Sequence, residues 1–196
     1  MTKPHIQIII GSTRDQRRGP PIARWFAAIA AEREDITSEL VDLAEFDLPF
    51  LSGATPPMTP DSRDDAALGW GAKVADGDGY VFVIPEYNHG YPAAVKNALD
   101  HLFSEWSRKP IGFVSYGGLA GGVRAVEQLR RVAVELDMVP VRRQVAIARI
   151  WQAIDEHGKL RPPVPLQEAQ RLLDDIGTWA TALRAGRAAI ATAAAP

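Results

Sequence analysis

Short apolar runs that alternate with longer helical stretches constrain the fold more than any other feature of this chain. The stretches between the runs repeat apolar residues at helical spacing, and prolines at 20–21 and 92 stand where helices are expected to begin. Successive parallel strands need a crossover of about a dozen residues or more, which is usually a helix. The sequence therefore predicts an α/β fold, a doubly wound parallel sheet with helices on both faces. Its five strands are expected at 6–10, 37–43, 79–84, 110–115 and 138–148.

The chain length predicts one domain and a short terminal tail. The 196 residues correspond to a single domain at about 150 residues per domain. The apolar stripe of the last predicted helix ends at Leu183, and the segment after it is nearly all alanine. We therefore expect one domain over 1–184 and a disordered tail over 185–196.

A proline-rich segment, 44–61, interrupts the regular alternation. Loops of this length in a compact domain are usually functional or disordered. Its position suits either a lid or a subunit contact. Asp61 or Ser62 is the expected cap of a short helix that runs to about Ala75.

Composition excludes several classes of protein. Lys and Arg total 22 against 24 Asp and Glu, a net charge of −2, and this balance argues against a nucleic-acid or membrane-surface protein. The chain has no cysteine, which excludes disulfides and thiolate chemistry. No run approaches the roughly 18 apolar residues of a membrane span, and no signal peptide precedes the first strand. The four histidines lack metal-ligand spacing. The sequence predicts a cytoplasmic protein without membrane insertion, nucleic-acid partner or metal.

Three of the tryptophans are candidates for the hydrophobic core. Helical spacing predicts that Trp25 and Trp179 are core residues. Trp106 stands at the end of a predicted helix, where it fits either the core or a subunit interface.

Polar and glycine-rich segments follow the first, third and fourth predicted strands. The first, Gly11-Ser-Thr-Arg-Asp-Gln-Arg-Arg-Gly-Pro20, enters the first predicted helix, whose N-terminus favours an anion. Hydroxyls and forked guanidinium groups are suitable donors to a phosphate. A solvated basic loop is the alternative interpretation. The candidate phosphate-binding residues are Ser12, Thr13, Arg14, Arg17, Arg18 and Gly19.

The absence of two known phosphate-binding motifs limits which ligands the first segment is expected to bind. The loop lacks the Gly-Lys-Ser/Thr of a P-loop, and no G-x-G-x-x-G spacing occurs in the chain. A dinucleotide site of Rossmann type is therefore disfavoured. A terminal phosphate monoester, such as that of FMN, fits better.

The second segment, Pro85 to Pro92, packs polar and aromatic side chains between residues that fix the backbone. Such a loop presents backbone N–H groups to the edge of a flat heteroaromatic ring. A strand-to-helix turn capped by Asn88 or His89 is the alternative. The candidate ring-binding residues are Pro85, Glu86, Tyr87, Asn88, His89 and Gly90.

The third segment comprises Ser115, Tyr116, Gly117 and Gly118. Its glycines permit close approach of the backbone to a ligand, and Tyr116 is suited to packing against a ring. It is not a nucleophile elbow, because Phe113 replaces the glycine required before Ser115. An esterase-like hydrolase is therefore disfavoured.

Together, the three segments resemble the NAD(P)H-dependent FMN reductase family of flavodoxin-like proteins, over residues 5 to 145. Gly11-Ser-Thr-Arg14 resembles the phosphate loop of that family. Pro85-Glu-Tyr-Asn88 resembles its most specific signature, and Ser115-Tyr-Gly-Gly118 its third flavin-contacting loop. Many relatives have Ser and Asn where this chain has Arg17 and Gly19, which leaves open whether Arg17 or Arg18 contacts the phosphate.

The resemblance implies a flavodoxin-like fold, FMN held by the three loops, and NAD(P)H as co-substrate. The cofactor carries the redox chemistry, so no catalytic side chain is expected. The expected partner is a small-molecule electron acceptor: a quinone, a flavin, an azo dye or a metal oxyanion. Members of the family are commonly homodimers or homotetramers. A flavodoxin-type electron carrier and a non-catalytic flavin-binding or regulatory module are the alternatives.

Overall fold

The computed structural model describes residues 2–52 and 65–193. Within these ranges no helix is both long and apolar enough to cross a membrane. The expected helix caps at 61–62 lie outside the described residues. The elements follow one another as β1 (His5–Ile10), α1 (Gly19–Ala31), β2 (Thr37–Asp42), a 3₁₀ turn (Leu43–Glu45), α2 (Asp65–Ala75), β3 (Gly79–Pro85), α3 (Ala93–Asp100), β4 (Pro110–Tyr116), α4 (Val123–Glu135), β5 (Val139–Ile147), α5 (Ile150–Ala153) and α6 (Leu166–Ala193).

The strands form one five-stranded sheet in the order β2-β1-β3-β4-β5. Every neighbouring pair is parallel, which confirms the predicted doubly wound fold. The chain leaves β1 toward β2 on one side and later returns to β3 on the other. Ligands of such sheets bind outside the carboxyl ends of the strands, at the place where the order reverses.

Two hydrophobic cores cover the two faces of the sheet because side chains alternate along each strand. On β3, Val81 and Val83 face the core under α1 and α6. The adjacent Tyr80 and Phe82 face the core under α2, α3 and α4. Both faces of the central strands are therefore buried, as their unbroken apolar runs predicted.

Trp106 lies in the core and is fully buried. Its ring packs edge-on against Trp70 and Tyr80, with centroids 5.8 and 4.8 Å away. The indole N–H groups of Trp70 and Trp106 donate to the carbonyls of Ala98 and Leu99 on α3, at 2.8 and 3.3 Å. Through these two hydrogen bonds, the aromatic cluster holds α3 in place. This helix follows the candidate ring-binding loop.

The prediction for Trp179 is wrong, because its side chain is 45% exposed. The buried stripe of α6 runs through Leu173, Gly177 and Ala180 instead. A Cβ on Gly177 would lie 3.1 Å from the side chain of Ile36, so α6 packs closely along its Gly177 face. Position 179 lies on a different face of the helix and is exposed. Trp25 is partly buried against the same core.

Helix α6 continues to Ala193, where the sequence predicted a disordered tail from residue 185. Alanine has the highest intrinsic helix propensity, and side chains beyond the core stripe hold this end in place. Arg184 donates to the carbonyl of Lys3 at 3.1 Å, and both Arg184 and Arg187 pair with Asp78. Ion pairs, which an apolar pattern does not reveal, fix the helix to the amino end of the sheet.

Candidate functional site

A cavity of about 370 Å³ opens at the carboxyl ends of the central strands. The three loops singled out in the sequence converge on it, because parallel strands end at the same edge of the sheet. A fourth wall comes from the start of α5. The lining residues are 14–18, 85–87, 116–118 and Ile150.

The loop between β1 and α1 is braced by Arg17. Its guanidinium donates to the carbonyl of Ser12 at 2.9 Å and forms an ion pair with Asp42 at the end of β2. Asp42 also accepts the N–H of Ala44 at 3.0 Å. Arg17 therefore joins the loop to the neighbouring strand, while Arg14 and Arg18 remain exposed on the cavity wall.

Helix α1 supplies few free N–H groups to an anion. It begins at Gly19, and Pro20 and Pro21 follow at once, so two positions of the first turn have no N–H to donate. Among the residues that the structure describes, no side chain caps this end. The exposed cationic side chains on the cavity wall are those of Arg14 and Arg18.

A buried hydroxyl pair forms the layer beneath the loop. Ser12 is fully buried, and its Oγ lies 3.3 Å from the phenol oxygen of Tyr116. A Cβ on Gly19 would lie 3.1 Å from the same oxygen, so α1 closes tightly over it. Burial raises the pKa of Tyr116, so the phenol stays protonated at the cavity floor.

The loop after β3 contains a tight two-residue turn. The backbone groups of Tyr87 and Gly90 exchange reciprocal hydrogen bonds of 2.9 Å. Asn88 and His89 occupy the turn with φ of 48° and 67°, a region that Asn and His adopt more readily than most residues. Both side chains are exposed. A turn is therefore present within the loop, but neither Asn88 nor His89 caps the helix that follows, because Pro92 occupies the N-cap of α3.

Helix α4 anchors this loop through Arg124 and Gln128. Glu86 accepts the backbone N–H of Arg124 at 3.1 Å and the Arg124 guanidinium at 2.5 Å. Gln128, one turn along, donates to the carbonyl of His89 at 2.9 Å. The carboxylate of Glu86 therefore points toward the N-terminus of α4, where the helix dipole stabilises it.

Glycines shape the turn that follows β4. Gly121 and Gly122 have φ of 62° and 87°, and a Cβ on Gly122 would lie 2.8 Å from that of Ser115. Ser115 is fully buried and donates to the carbonyl of Gly121 at 2.8 Å. Ser115 therefore holds the turn from inside, while Gly117 and Gly118 present bare backbone to the cavity.

A cation–π contact bridges the first two loops. The guanidinium carbon of Arg14 lies 5.4 Å from the centroid of the Tyr87 ring, within the range of an attractive interaction. Arg14 thus links the positively charged wall of the cavity to the loop after β3.

The sequence did not identify the fourth wall, formed by the start of α5. The N–H groups of Arg149 and Ile150 donate to the carbonyls of Gly118 and Gly117, at 2.8 and 3.0 Å. These bonds extend the pairing of β4 with β5 past the ends of both strands. No local pattern marks the contact, because it depends on two segments that are distant in the chain.

The cavity brings together nine of the sequence-predicted site residues and adds Asp15, Gln16 and Ile150. Ser12, Gly19 and Ser115 lie buried beneath it, and Asn88, His89 and Gly90 form the adjoining turn. Thr13 lines a neighbouring cavity of about 420 Å³ between the 3₁₀ turn and α3. The predicted residues on the cavity wall are Arg14, Arg17, Arg18, Pro85, Glu86, Tyr87, Tyr116, Gly117 and Gly118.

Comparison with known sequences identifies the relatives of the chain. The sequence model of the family described as NADPH-dependent FMN reductase matches residues 4–152. An NAD(P)H-dependent FMN reductase of Schizosaccharomyces pombe is 44% identical over 140 residues, which cover 69% of this chain and 68% of the relative. A 2-hydroxy-1,4-benzoquinone reductase of a Burkholderia species is 27% identical over 189 residues, covering 89% of this chain and 94% of that protein.

Comparison with solved structures identifies the same fold. FerB, a flavoenzyme NAD(P)H:(acceptor) oxidoreductase from Paracoccus denitrificans, superposes with a TM-score of 0.72 at 19% identity. The match covers 91% of this chain and 97% of FerB. At this identity the likeness concerns the fold alone.

Proposed function

The chain belongs to the NADPH-dependent FMN reductase family, and we propose that the cavity at the carboxyl ends of β1, β3 and β4 is its FMN site. The protein is an NAD(P)H-dependent oxidoreductase with FMN as cofactor. The observation that carries the proposal is the convergence of three distant loops on one cavity. That cavity has exposed guanidinium groups on one wall and bare glycine backbone on another.

The residues of the first loop suit a phosphate monoester. Arg14 and Arg18 are exposed on the cavity wall, and guanidinium groups donate to phosphate oxygens in pairs. Arg17 is committed to Asp42 and to the Ser12 carbonyl. We therefore assign the phosphate contacts to Arg14 and Arg18, and to Arg17 the shape of the loop.

The other two loops suit a flat ring. Pro85 to Tyr87 and Gly117 to Gly118 line neighbouring parts of the cavity, and the two glycines carry no side chain that would obstruct a ring. The Glu86–Arg124 and Gln128–His89 contacts hold the first of these loops in a fixed position. The N–H groups of Glu86 and Tyr87 donate to the carbonyls of Tyr116 and Gly90, at 2.9 Å each, so this loop contributes a fixed shape to the cavity.

FMN supplies the hydride and electron chemistry when it is bound. The net reaction converts NAD(P)H, a proton and a quinone into NAD(P)⁺ and a hydroquinone. The protein binds and orients the reactants. Burial raises the pKa of the Tyr116 phenol, which keeps its proton at neutral pH, so we assign no general acid or base.

Three finer assignments belong to the same proposal. The acceptors are quinones, with free flavins, azo dyes and metal oxyanions as further candidates. The enzyme works in the cytoplasm, where NAD(P)H is supplied. It assembles as a homodimer or homotetramer, which the exposure of Phe50 and Leu51 (79% and 43%) supports because subunit contacts bury such side chains.

The test is steady-state oxidation of NADPH by the FMN-loaded protein with a quinone as acceptor. We expect turnover that continues through many equivalents of NADPH. Oxidation that stops after one equivalent of bound flavin would indicate an electron carrier. Protein that stays colourless after FMN addition would indicate a regulatory module instead.

A further inference from the structure

We propose that Trp151 and Leu119 form a binding wall for a planar aromatic electron acceptor at the rim of the FMN cavity. The inference rests on the proposed function, because the wall has a role only if the cavity holds FMN. It assigns to these two side chains the recognition of quinones, which are flat, uncharged and largely apolar.

The backbone fixes the position of Trp151. The N–H of Arg149 donates to the carbonyl of Gly118 at 2.8 Å, and the N–H of Ile150 donates to the carbonyl of Gly117 at 3.0 Å. Arg149 has a φ of 48°, which turns the chain sharply from β5 into α5. The residue that follows this turn and these two hydrogen bonds is Trp151.

The Trp151 ring lies against a residue that lines the cavity. Its Cη2 and Cζ3 atoms lie 3.8 Å from the place that a Cβ on Gly118 would occupy, which is ordinary van der Waals contact. Gly118 itself lines the cavity, as does Ile150. Because Gly118 has no side chain, the cavity and the indole both adjoin its backbone.

The exposure of the two side chains indicates a ligand surface. Trp151 is 59% exposed and Leu119 is 77% exposed. Leu119 follows Gly118 in the chain, and the Trp151 ring lies against Gly118, so both adjoin a residue that lines the cavity. An exposed aromatic side chain at this place is suited to packing against one small flat ring.

The wall acts on binding alone. A quinone becomes a hydroquinone by taking up two electrons and two protons; NAD(P)H supplies a hydride, which carries both electrons and one proton, and water supplies the second proton. Neither side chain of the wall exchanges a proton. Loss of the Trp151 side chain should therefore weaken the binding of an aromatic acceptor more than the binding of an acceptor that cannot stack.

The test compares Trp151→Ala and Trp151→Phe in the FMN-loaded enzyme with menadione and with ferricyanide as acceptors. Menadione is planar and aromatic, whereas ferricyanide is a hydrophilic anion. We expect Trp151→Ala to raise the KM for menadione about 3- to 10-fold, as the loss of an aromatic contact predicts. The ratio of kcat/KM for menadione to that for ferricyanide should fall by the same factor, and Trp151→Phe should recover most of it.

The matched control is Trp179→Ala, which removes an exposed indole from α6 and should leave the KM for menadione unchanged. Four results for Trp151→Ala would overturn the proposal. They are an unchanged KM for menadione, an equal loss of kcat/KM with both acceptors, a KM that rises for NADPH and not for menadione, and a lower oligomeric mass. The last would assign Trp151 to a subunit contact. Wild-type protein that retains no FMN, or does not oxidise NADPH with ferricyanide, would overturn the proposed function itself.

Discussion

The three arginines of the β1–α1 loop have different surroundings despite their closeness in sequence. Arg17 is bound to the Ser12 carbonyl and to Asp42, whereas Arg14 and Arg18 are exposed on the cavity wall. The sequence predicted an arginine cluster for a phosphate but left Arg17 and Arg18 as alternatives. The distinction depends on Asp42, which belongs to another strand and is brought to the loop only by the sheet.

We expect Arg18→Ala to weaken FMN binding at least about tenfold, because hydrogen bonds between charged groups contribute about 1.5–3 kcal/mol each. The affinity for riboflavin, which has no phosphate, should hardly change. Titration of each variant with both flavins, followed by flavin fluorescence, measures the difference.

The control for this prediction is Arg17→Ala, which leaves Asp42 without its ion-pair partner. It should lower the melting temperature of the flavin-free protein more than Arg18→Ala does. If Arg18→Ala and Arg14→Ala both keep the parent affinity for FMN, the phosphate binds elsewhere.

Among the elements, the five strands agree with their predicted positions. For the central strands β1, β3 and β4 the reason is burial on both faces, which favours nearly continuous apolar runs. Helix α5 and its contact with Gly117 and Gly118 could not be predicted, since its four residues, Ile150–Ala153, carry no periodic signal. The end of α6 was missed for a different reason. Arg184 and Arg187 stabilise it through Asp78, which is far away in the chain.

The turn between β4 and α4 requires glycine at position 122. Its φ is 87°, and a Cβ there would lie 2.8 Å from the Ser115 Cβ and 2.9 Å from the Tyr116 nitrogen. We expect Gly122→Ala to lower the free energy of unfolding by roughly 2–5 kcal/mol, the sum of left-handed backbone strain and overpacking. Urea denaturation of the flavin-free protein measures this change.

Gly158→Ala provides the matched control for the steric part of that cost. Gly158 also has a positive φ, 77°, but no atom of residues 2–52 and 65–193 lies within 4 Å of the added Cβ. Its loss of stability should be about 1–2 kcal/mol. Equal losses in the two variants would show that the close packing of Gly122 against β4 is not present.

At the scale of the whole molecule, the two ends of the sheet differ in character. The carboxyl ends of the strands carry the cavity, its glycines and its exposed arginines. The amino ends carry a buried network in which Lys109 donates to the carbonyls of Val74 and Ala75 and to the phenol of Tyr80, at 3.2, 3.1 and 3.0 Å. The topology was predictable because it follows from alternating elements. The hydrogen-bond network of Lys109 was not predictable, because it joins a lysine to groups that are distant in sequence.

The buried lysine predicts a pH dependence of stability. Burial lowers the pKa of Lys109 from 10.5 to about 8, so between these values the unfolded chain binds the proton that the folded protein has lost. The free energy of unfolding should therefore rise with pH above about 8. Burial raises the pKa of Tyr80 above its usual 10, which has the opposite effect above about pH 10 and limits the rise to the window from 8 to 10.

Urea denaturation at several pH values from 7 to 10 measures this rise, and Lys109→Met is the comparison. The methionine keeps most of the side-chain volume but has no charge, so its profile should lack the rise that Lys109 contributes. A wild-type free energy that is flat or falling across the window, or a variant with the same slope as the wild type, would contradict the titration of Lys109.

The direct test of FMN binding at the cavity is the visible spectrum of the protein after FMN is added and free flavin is removed, followed by anaerobic NADPH. We expect a retained flavin spectrum that bleaches with NADPH, and we expect the double variant Arg14→Ala/Arg18→Ala to lose its flavin on the same column. A wild-type protein that retains no flavin, or a double variant that retains as much as the wild type, would contradict the assignment of this cavity.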